Sequence, residues 1–486
     1  MRRSLLLAAL LVPAVAHAQS PARRTLTLQD AILLAQQQGP QAQIARSSRD
    51  AAHYHDNAFN AGLKPQLFLQ GNVANLNHGI NAITLPDGST QFIGQAQNQS
   101  SVLMGFSQRL PLTGGTVQVG TQLSRLDLYG DKRSTLYQSS PIVVSIQQDL
   151  FKPNSLMWEE RVQSLTALVS ERAYLEARED VARTTADAFF NLYAQQMALA
   201  NAAFNAAVND TLYTLNKGRF EVGKIGENDL LKSELALLRA RAAVDDAKLN
   251  RDRAEAALRR LIAYPAERPL AIVTPDSIPV VDADPDVAVA QALKNSSSMQ
   301  QNELDNTTTK RGIAQAKADN HFNASVSASA GFNQTAATFG PAYQAPLGSQ
   351  TLTVGVNLPM LQWGKGTAAV QEQTAFAERV AANNKMRHDQ LEEDARFAAL
   401  GLQQAQRNVL LAAKADTVAA KQFEVARNRY IIGKIQNDAL YLAQGEKDAA
   451  VLANVQALRN YWMSFYLLRR LTLYDYAKKV ELTDDR

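Results

Sequence analysis

The sequence contains no cysteine, and this absence excludes disulfide bonds, thiolate metal sites and a cysteine nucleophile. An excess of one charge is also lacking, because 50 Lys and Arg residues are balanced by 46 Asp and Glu, giving a formal net charge of +4. Nucleic-acid binding requires a concentrated basic face. We therefore predict that the chain has no nucleic-acid partner.

Catalytic motifs are missing as well. The sequence has no glycine-rich phosphate loop, no H-E-x-x-H and no G-x-S-x-G motif, the patterns that indicate nucleotide binding, zinc-dependent hydrolysis or a serine nucleophile. His53 and His55 are two residues apart, a spacing that points side chains away from each other on a helix. We predict no enzymatic activity, no metal site and no cofactor.

Long hydrophobic runs are confined to the N-terminus, which has the layout of a secretory signal peptide. Arg2 and Arg3 precede an apolar run over 5–16, and a small-x-small cleavage site ends at Ala18. The run is shorter than the roughly 20 residues that span a bilayer as a helix. We predict cleavage before Gln19 and export. A mature chain without a transmembrane helix enters a membrane only as a closed β-barrel, because no other structure satisfies its backbone there.

The chain carries an internal duplication. The segment GRFEVGKI at 218–225 corresponds to NRYIIGKI at 428–435, an offset of 210 in the numbering. The same offset aligns LRRL at 258–261 with LRRL at 468–471. Upstream the offset changes to 256, which predicts an insertion in the first repeat between about 66 and 141.

Two segments in the second repeat alternate apolar with small polar residues, 322–332 and 352–358. This period-two pattern suits a strand with lipid on one side and water on the other, and a half-buried strand of a soluble sandwich shows the same local pattern. Strands are likewise expected at 67–73, 102–110, 117–123 and 142–146, and loops at 78–98 and 333–350.

Two long helical regions follow the strands of the repeats. No proline interrupts 156–217, and alanines recur after the next break at spacings of about 3.5 residues, which indicates a coiled-coil contact with close helix approach. A plain amphipathic helix with an alanine-rich surface is the alternative. The alanines are Ala236, Ala240, Ala243, Ala247, Ala254 and Ala257, with Ala450, Ala453 and Ala457 in the second repeat.

Each repeat has an aromatic residue, a glycine three positions later and an aliphatic residue two positions beyond, followed by a polar turn and a new helix. With the signal peptide and the duplication, this order of motifs resembles the TolC-like outer-membrane efflux proteins, the outer membrane factors of tripartite efflux and type I secretion systems. The resemblance covers about 25–475. The motifs are Phe220/Gly223/Ile225 and Tyr430/Gly433/Ile435.

The resemblance implies a mainly α fold with a membrane β-barrel, built from two tandem repeats of helix, strands, long helix and long helix. In the implied homotrimer, a trimeric α-barrel tunnel in the periplasm is continued by a shared transmembrane β-barrel in the outer membrane of a Gram-negative bacterium. The implied partners are outer-membrane lipid, a periplasmic adaptor (membrane fusion) protein and an inner-membrane RND, ABC or MFS transporter. The export duct would expel drugs, small molecules or secreted proteins.

The predicted organisation is a signal peptide (1–18), a first repeat (19–270), a linker (271–285), a second repeat (286–475) and a C-terminal tail (476–486). The first repeat is predicted to contain a helix at 27–62, strands within 65–151 and coiled-coil helices over 155–263, with a tip near 218–229. The second is predicted to contain a helix at 286–318, strands at 321–333 and 351–361, and coiled-coil helices over 365–474, with a tip near 428–440. The extra hairpin (about 99–128) either supplies two of six barrel strands per subunit or lies outside the barrel.

By resemblance, the two tips dock the adaptor and close the periplasmic aperture. The implied gate consists of Asp229, Tyr430 and Asp438, with Tyr430 bonding to Asp229. Asp438 takes the place of the family's acid, which is Ala439 here. Solvated charges beside a helical turn are the alternative interpretation. The predicted docking residues are Phe220, Gly223, Lys224, Ile225, Tyr430, Gly433, Lys434 and Ile435.

Two other classes of function are open at this stage. A structural periplasmic coiled-coil or surface protein without transport shares the long helices but does not need strands that alternate apolar with small polar residues. A secreted hydrolase needs a catalytic cluster, and the sequence offers none. Heat-stable trimers in outer-membrane extracts would separate the channel from both.

Overall fold

The structure is a computed structural model that describes residues 25–129, 133–275 and 278–483. The predicted signal peptide (1–18) lies outside the described residues. The chain divides into two compact units. The first comprises the chain up to Arg46, Leu175–Ala290 and the chain from Asp394 onwards, and the second comprises Ser47–Tyr174 and Gln291–Glu393.

Helices are the longest elements, and the two longest contain 67 residues each. No helix in the described ranges is both long and apolar enough to cross a membrane. In chain order the helices are α1 (Leu28–Gln38), α2 (Pro40–Gly62), α3 (Ser155–Glu221), α4 (Glu227–Leu261), α5 (Pro285–Asn295), α6 (Ser297–Asp319), α7 (Lys365–Ile431) and α8 (Asn437–Thr472).

The strands fall into one large antiparallel sheet and two short pairs. The large sheet has the order β2-β4-β5-β6-β8-β9, and β3 also pairs with β4. The strands are β1 (Thr25–Thr27), β2 (Gln66–Asn72), β3 (Leu76–Thr84), β4 (Thr90–Arg109), β5 (Thr116–Leu128), β6 (Ser134–Leu150), β7 (Ala271–Val273), β8 (Asn323–Ala336), β9 (Leu347–Asn357), β10 (Tyr474–Asp475) and β11 (Val480–Glu481).

The helix bounds carry the duplication found in the sequence. α3 begins at position 155 and α7 at 365, while α4 begins at 227 and α8 at 437, so both pairs keep the offset of 210 between the sequence motifs. Upstream of the sheet, α1 and α5 begin at 28 and 285, and α2 and α6 begin at 40 and 297. Their offset is 257, one more than the sequence alignment indicated. The insertion in the first repeat is therefore 47 residues long, the difference between the offsets 257 and 210.

The single first helix predicted for each repeat (27–62 and 286–318) is wrong, because both are broken in two. In the first repeat, a Cβ at Gly39 would collide with the carbonyl oxygen of Ala35, so glycine permits a sharp change of direction there. In the second repeat, Ser296 has extended backbone and its side chain caps α6, which starts a new helix.

Three other sequence predictions need correction. The strand predicted at 351–361 is β9, which ends at Asn357 because Pro359 has no N–H for the ladder. The loop predicted at 78–98 consists largely of β3 and the first half of β4, paired from Leu76–Asn98 to Thr84–Thr90. The predicted linker and tail also contain strands, since β7 pairs with β1 and β11 with β10.

The extra hairpin of the first repeat lies inside the large sheet. β4 and β5 pair from Gln97–Leu128 to Arg109–Thr116, and β5 then pairs with β6. β2 and β3 occupy one strand position on the other side of β4, interrupted at 73–75. The sheet of one chain thus has six strand positions.

The core of the first unit is a cluster of aliphatic and aromatic side chains contributed by its helices. Phe189, Phe190 and Tyr461 are fully buried there, and burial of each such side chain contributes about 1.5–3 kcal/mol. The Tyr461 hydroxyl donates a hydrogen bond to the carbonyl oxygen of Pro279 at 2.5 Å. This bond holds Pro279 against α8.

Candidate functional site

The first helix-turn-helix tip joins α3 to α4 at Gly223, which has a φ of +71°. The Gly223 N–H donates to the Phe220 carbonyl at 2.9 Å, and the Lys224 N–H donates to the Arg219 carbonyl at 2.8 Å. These two bonds form a Schellman motif, which satisfies the last carbonyls of a helix and favours glycine at the left-handed position. A Cβ on Gly223 would meet no atom within 4 Å, so its conformation rather than space requires glycine.

The second tip repeats this geometry between α7 and α8. Gly433 has a φ of +74°, its N–H donates to the Tyr430 carbonyl at 2.9 Å, and the Lys434 N–H donates to the Arg429 carbonyl at 2.9 Å. The two tips therefore carry the same turn at matching positions of the repeats, with Lys224 and Lys434 exposed.

Exposed apolar side chains surround both turns. Val222 is 68% exposed and Ile432 is 65% exposed, although aliphatic side chains of this size are usually buried. A run of apolar residues at a polar turn is the sequence signal that would have identified them. The exposed apolar tip residues are Phe220, Val222, Leu231, Ile431 and Ile432.

The predicted docking residues divide into an exposed set and a buried set. Tyr430 is only 3% exposed and belongs to a small core with Leu212 and Leu440, against which Ile435 packs. Tyr430 and Ile435 thus hold the tip together. Phe220 and the two lysines remain at the surface.

The hydroxyl of Tyr430 lies in a buried polar cluster. It donates to Asn216 Oδ1 at 3.0 Å and lies within hydrogen-bonding distance of the Asn437 side-chain oxygen. The Arg219 guanidinium lies over the Tyr430 ring, 5.4 Å from its centroid. Sequence reasoning missed both asparagines, and within one chain the hydroxyl contacts them rather than Asp229.

Asp229 and Asp438 line the same cleft as Tyr430, with a volume of about 590 Å³. Asp229 is half-buried, whereas the Asp438 side chain is 76% exposed and lies 3.8 Å from Lys232 Nζ. Burial, together with Tyr430 and Asp438 nearby, raises the pKa of Tyr441 to about 12. The structure thus brings the three predicted gate residues to one cleft without joining them directly.

No metal-binding cluster of three or more His, Cys, Asp or Glu residues occurs in the part of the chain that the structure describes. The tip cleft contains carboxylate, amide and phenol groups but no histidine. Its charged groups lie beside an exposed turn, an arrangement suited to contact with another protein chain.

The large sheet has one polar and one apolar face. In one row of residues that lie opposite each other across six strands, every side chain is polar. In the next row, which lies on the opposite face of the sheet, five of the six side chains are apolar. The polar row is Gln66, Ser107, Gln118, Ser145, Ser329 and Thr351, and the adjacent row is Leu67, Phe106, Val119, Val144, Ala330 and Gln350.

The apolar face is exposed in the single chain and is bordered by aromatic residues. Leu69 is 73% exposed and Val356 is 68% exposed. At one end of the strands the rings of Phe151 and Phe322 lie 5.5 Å apart. At the other end, Phe339 contacts neighbouring tyrosines. Aromatic girdles flanking an apolar band are typical of strands that face lipid.

Part of the chain matches a family of known proteins. The family model for outer membrane efflux proteins matches residues 93–263. The first repeat of the chain thus contains a region of this family. The matched outer membrane efflux region begins in β4 and ends just beyond α4, so it includes the extra hairpin and the first tip. A comparison with curated protein sequences found no match.

Solved structures of outer membrane channels share the fold over most of the chain. The CmeC channel of Campylobacter jejuni is 15% identical, with a TM-score of 0.66 over 94% of this chain and 87% of CmeC. VceC of Vibrio cholerae is 13% identical, with a TM-score of 0.66 over 92% of this chain and 95% of VceC. The open-state MtrE channel of Neisseria gonorrhoeae is 15% identical, with a TM-score of 0.61 over 94% and 91%. The predicted helical fold with strands is confirmed.

Proposed function

We propose that the protein is one subunit of a homotrimeric export channel in the outer membrane of a Gram-negative bacterium. The observation that carries this proposal is the sheet with one exposed apolar face and one polar face. An apolar face of this extent favours contact with lipid, and a face of Ser, Thr and Gln favours a water-filled lumen. A structural coiled-coil protein without transport has no use for such a sheet.

The two tips are the proposed docking surface for a periplasmic adaptor protein of an inner-membrane RND, ABC or MFS transporter. Val222 and Ile432 offer apolar contacts, and Lys224 and Lys434 offer charge beside them. Such a mixture of apolar centre and charged rim is typical of protein interfaces. The channel hydrolyses nothing, so direction and energy come from the transporter. The helical part lies in the periplasm.

The proposed gate is the tip cleft, and conductance tests it. Asp229→Ala is expected to raise the single-channel conductance of the purified trimer in a planar bilayer. In the proposed gate the Asp229 carboxylate accepts a hydrogen bond from a neighbouring copy in the trimer. A hydrogen bond to a charged group contributes about 1.5–3 kcal/mol, so its loss increases the open population about tenfold or more. Asp438→Ala is expected to have a smaller effect, because exposed ion pairs contribute about 0–1 kcal/mol.

Asp210→Ala is the matched control, since Asp210 forms an exposed ion pair with Arg241 at 2.9 Å in the helices. Its conductance should equal that of the wild type. A folded trimer that conducts no ions in any variant would contradict the channel and favour the structural coiled coil.

The docking surface is tested by Gly223→Trp. The side chain would be strained at a φ of +71° and would project from the turn. A loss of about 1.4 kcal/mol in adaptor binding weakens the affinity about tenfold. We expect pull-down of the adaptor and drug resistance to fall together while the amount of trimer in the outer membrane is unchanged.

Gly445→Trp is the control for this substitution, because Gly445 is an exposed glycine within α8 with open space around it. Normal adaptor binding by Gly223→Trp would place the docking surface elsewhere. Equal loss in both variants would indicate a general effect of the bulky residue.

A further inference from the structure

The sheet of one chain has two edges without a strand partner among the described residues. One edge is β2 followed by β3, and the other is β9. Edge strands present rows of backbone N–H and C=O groups, and in lipid these groups must be paired. Every neighbouring pair between the edges is antiparallel, and the number of strand positions is even. The two edges therefore run in opposite directions. One edge of a copy can pair with the opposite edge of a second copy in antiparallel orientation.

The duplication supplies the register of that contact. Within the chain, β6 of the first repeat pairs with β8 of the second, and Gln147 lies opposite Ser327. In the repeats, β9 corresponds to β6 at the offset of 210, and β8 corresponds to β2 at the offset of 257. Asn357 of one copy would then lie opposite Gln70 of the next. Both residues lie on the polar face, as Gln147 and Ser327 do.

The repeats also give the strand pairing that is expected if the extra hairpin lies outside the sheet. β8 pairs with β9, and Ser327 lies opposite Thr353. The corresponding residues of the first repeat are Gln70 in β2 and Val143 in β6. In the structure these two residues are separated by β4 and β5, because Gln70 lies opposite Leu103 of β4.

We propose that each copy contributes all six strand positions to the shared barrel, with β9 of one copy pairing with β2 of the next, so that the trimer closes eighteen strands. This inference rests on the proposed trimeric channel. Strands about 4.8 Å apart and tilted by about 40° give a backbone diameter of about 36 Å for eighteen strands and about 24 Å for twelve. An eighteen-stranded barrel is therefore about 12 Å wider than a twelve-stranded one.

Cysteine pairs test this arrangement, because the natural chain has no cysteine, and three of the pairs share Gln70→Cys. Residues directly opposite each other on antiparallel strands have Cα atoms about 4.5–5.5 Å apart, which suits a disulfide. The three partners are Leu103→Cys, Val143→Cys and Asn357→Cys. Trimers extracted from the outer membrane are oxidised and assayed by maleimide labelling and by non-reducing gels.

We expect the pair with Leu103→Cys to form a disulfide within the chain and the pair with Asn357→Cys to link chains into covalent trimers. The pair with Val143→Cys should keep both thiols. Asn72→Cys with Gly355→Cys, the corresponding pair two residues away, should also link chains.

The inference would be overturned if the variant with Gln70→Cys and Val143→Cys formed a disulfide while the variant with Gln70→Cys and Leu103→Cys kept free thiols. The hairpin would then lie outside a twelve-stranded barrel. Failure of both pairs between copies to link chains would overturn the contact between β9 and β2. Either result in trimers that still conduct and export would leave the proposed function standing. Absence of trimers from the outer membrane would count against the proposed function itself.

Discussion

Val144→Arg is expected to prevent assembly of the trimer in the outer membrane. Val144 is 42% exposed at the middle of the apolar face, between Val119 on β5 and Ala330 on β8. An arginine facing lipid near the bilayer centre destabilises a β-barrel by about 2–4 kcal/mol, and a trimer carries three copies. The measurement is the amount of heat-resistant trimer in outer-membrane fractions, which should fall below a tenth of the wild-type amount.

Ser145→Arg is the matched control, because Ser145 is the next residue of β6 and lies on the polar face between Gln118 and Ser329. Arginine facing a water-filled lumen keeps its hydration, so trimers should form at wild-type levels. Equal loss in both variants would show that the strand tolerates no arginine. Normal trimers with Val144→Arg and loss with Ser145→Arg would mean that the lipid-facing side has been assigned to the wrong face.

The duplication made much of the fold predictable from sequence. The segments around Gly223 and Gly433 define the offset between the repeats, and the bounds of α3 and α7 follow it position for position. Period-two alternation also predicted which residues of β8 share a face, because side chains on a strand alternate strictly. Local pattern is informative where one face of an element is apolar along its whole length.

The parts of the sheet that the sequence missed lack this contrast. β3 and the first half of β4 are rich in Asn, Gln and Gly, so their apolar rows are short or interrupted, as at His78 between Leu76 and Ile80. Their hydrogen bonds come from pairing with each other, a tertiary property. The breaks at Gly39 and Ser296 were missed for a related reason, since helical periodicity continues on both sides of each break.

At the tips, sequence position alone did not separate exposed residues from buried structural ones. Tyr430 corresponds to Phe220 in the repeat, yet it is 3% exposed whereas Phe220 is 40% exposed. The difference arises because Tyr430 has polar partners for its hydroxyl in Asn216 and Asn437, which a phenylalanine cannot use. Residues brought together from distant positions in the chain are visible only once it is folded.

The LRRL motif shows the same limit in the first unit. In the first repeat Arg259 bonds to Glu255, four residues earlier in its own helix, at 2.7 Å. In the second repeat the corresponding Arg469 bonds to Glu179 at 2.8 Å and to Asp475 at 2.7 Å. The sequence identified the motif as a repeat marker, but Glu179 lies in a different helix, far from Arg469 along the chain, and this contact belongs to the tertiary structure.

Arg469→Ala is expected to destabilise the first unit strongly. The side chains of Arg469, Glu179 and Asp475 are 18%, 6% and 7% exposed. Burial disfavours the guanidinium charge, but the attraction and hydrogen bond of Glu179 and the attraction of Asp475 raise the pKa of Arg469 above its usual value. Removal leaves two buried carboxylates unpaired, and breaking a buried ion pair in this way costs about 3–5 kcal/mol. Thermal unfolding of the detergent-solubilised protein, followed by far-UV circular dichroism, measures the loss.

Arg470→Ala is the internal control, because Arg470 bonds to Asp180 at 2.7 Å with side chains that are 36% and 37% exposed, and such a pair contributes at most about 1 kcal/mol. Equal losses of stability in the two variants would contradict a special contribution of the buried ion pairs of Arg469.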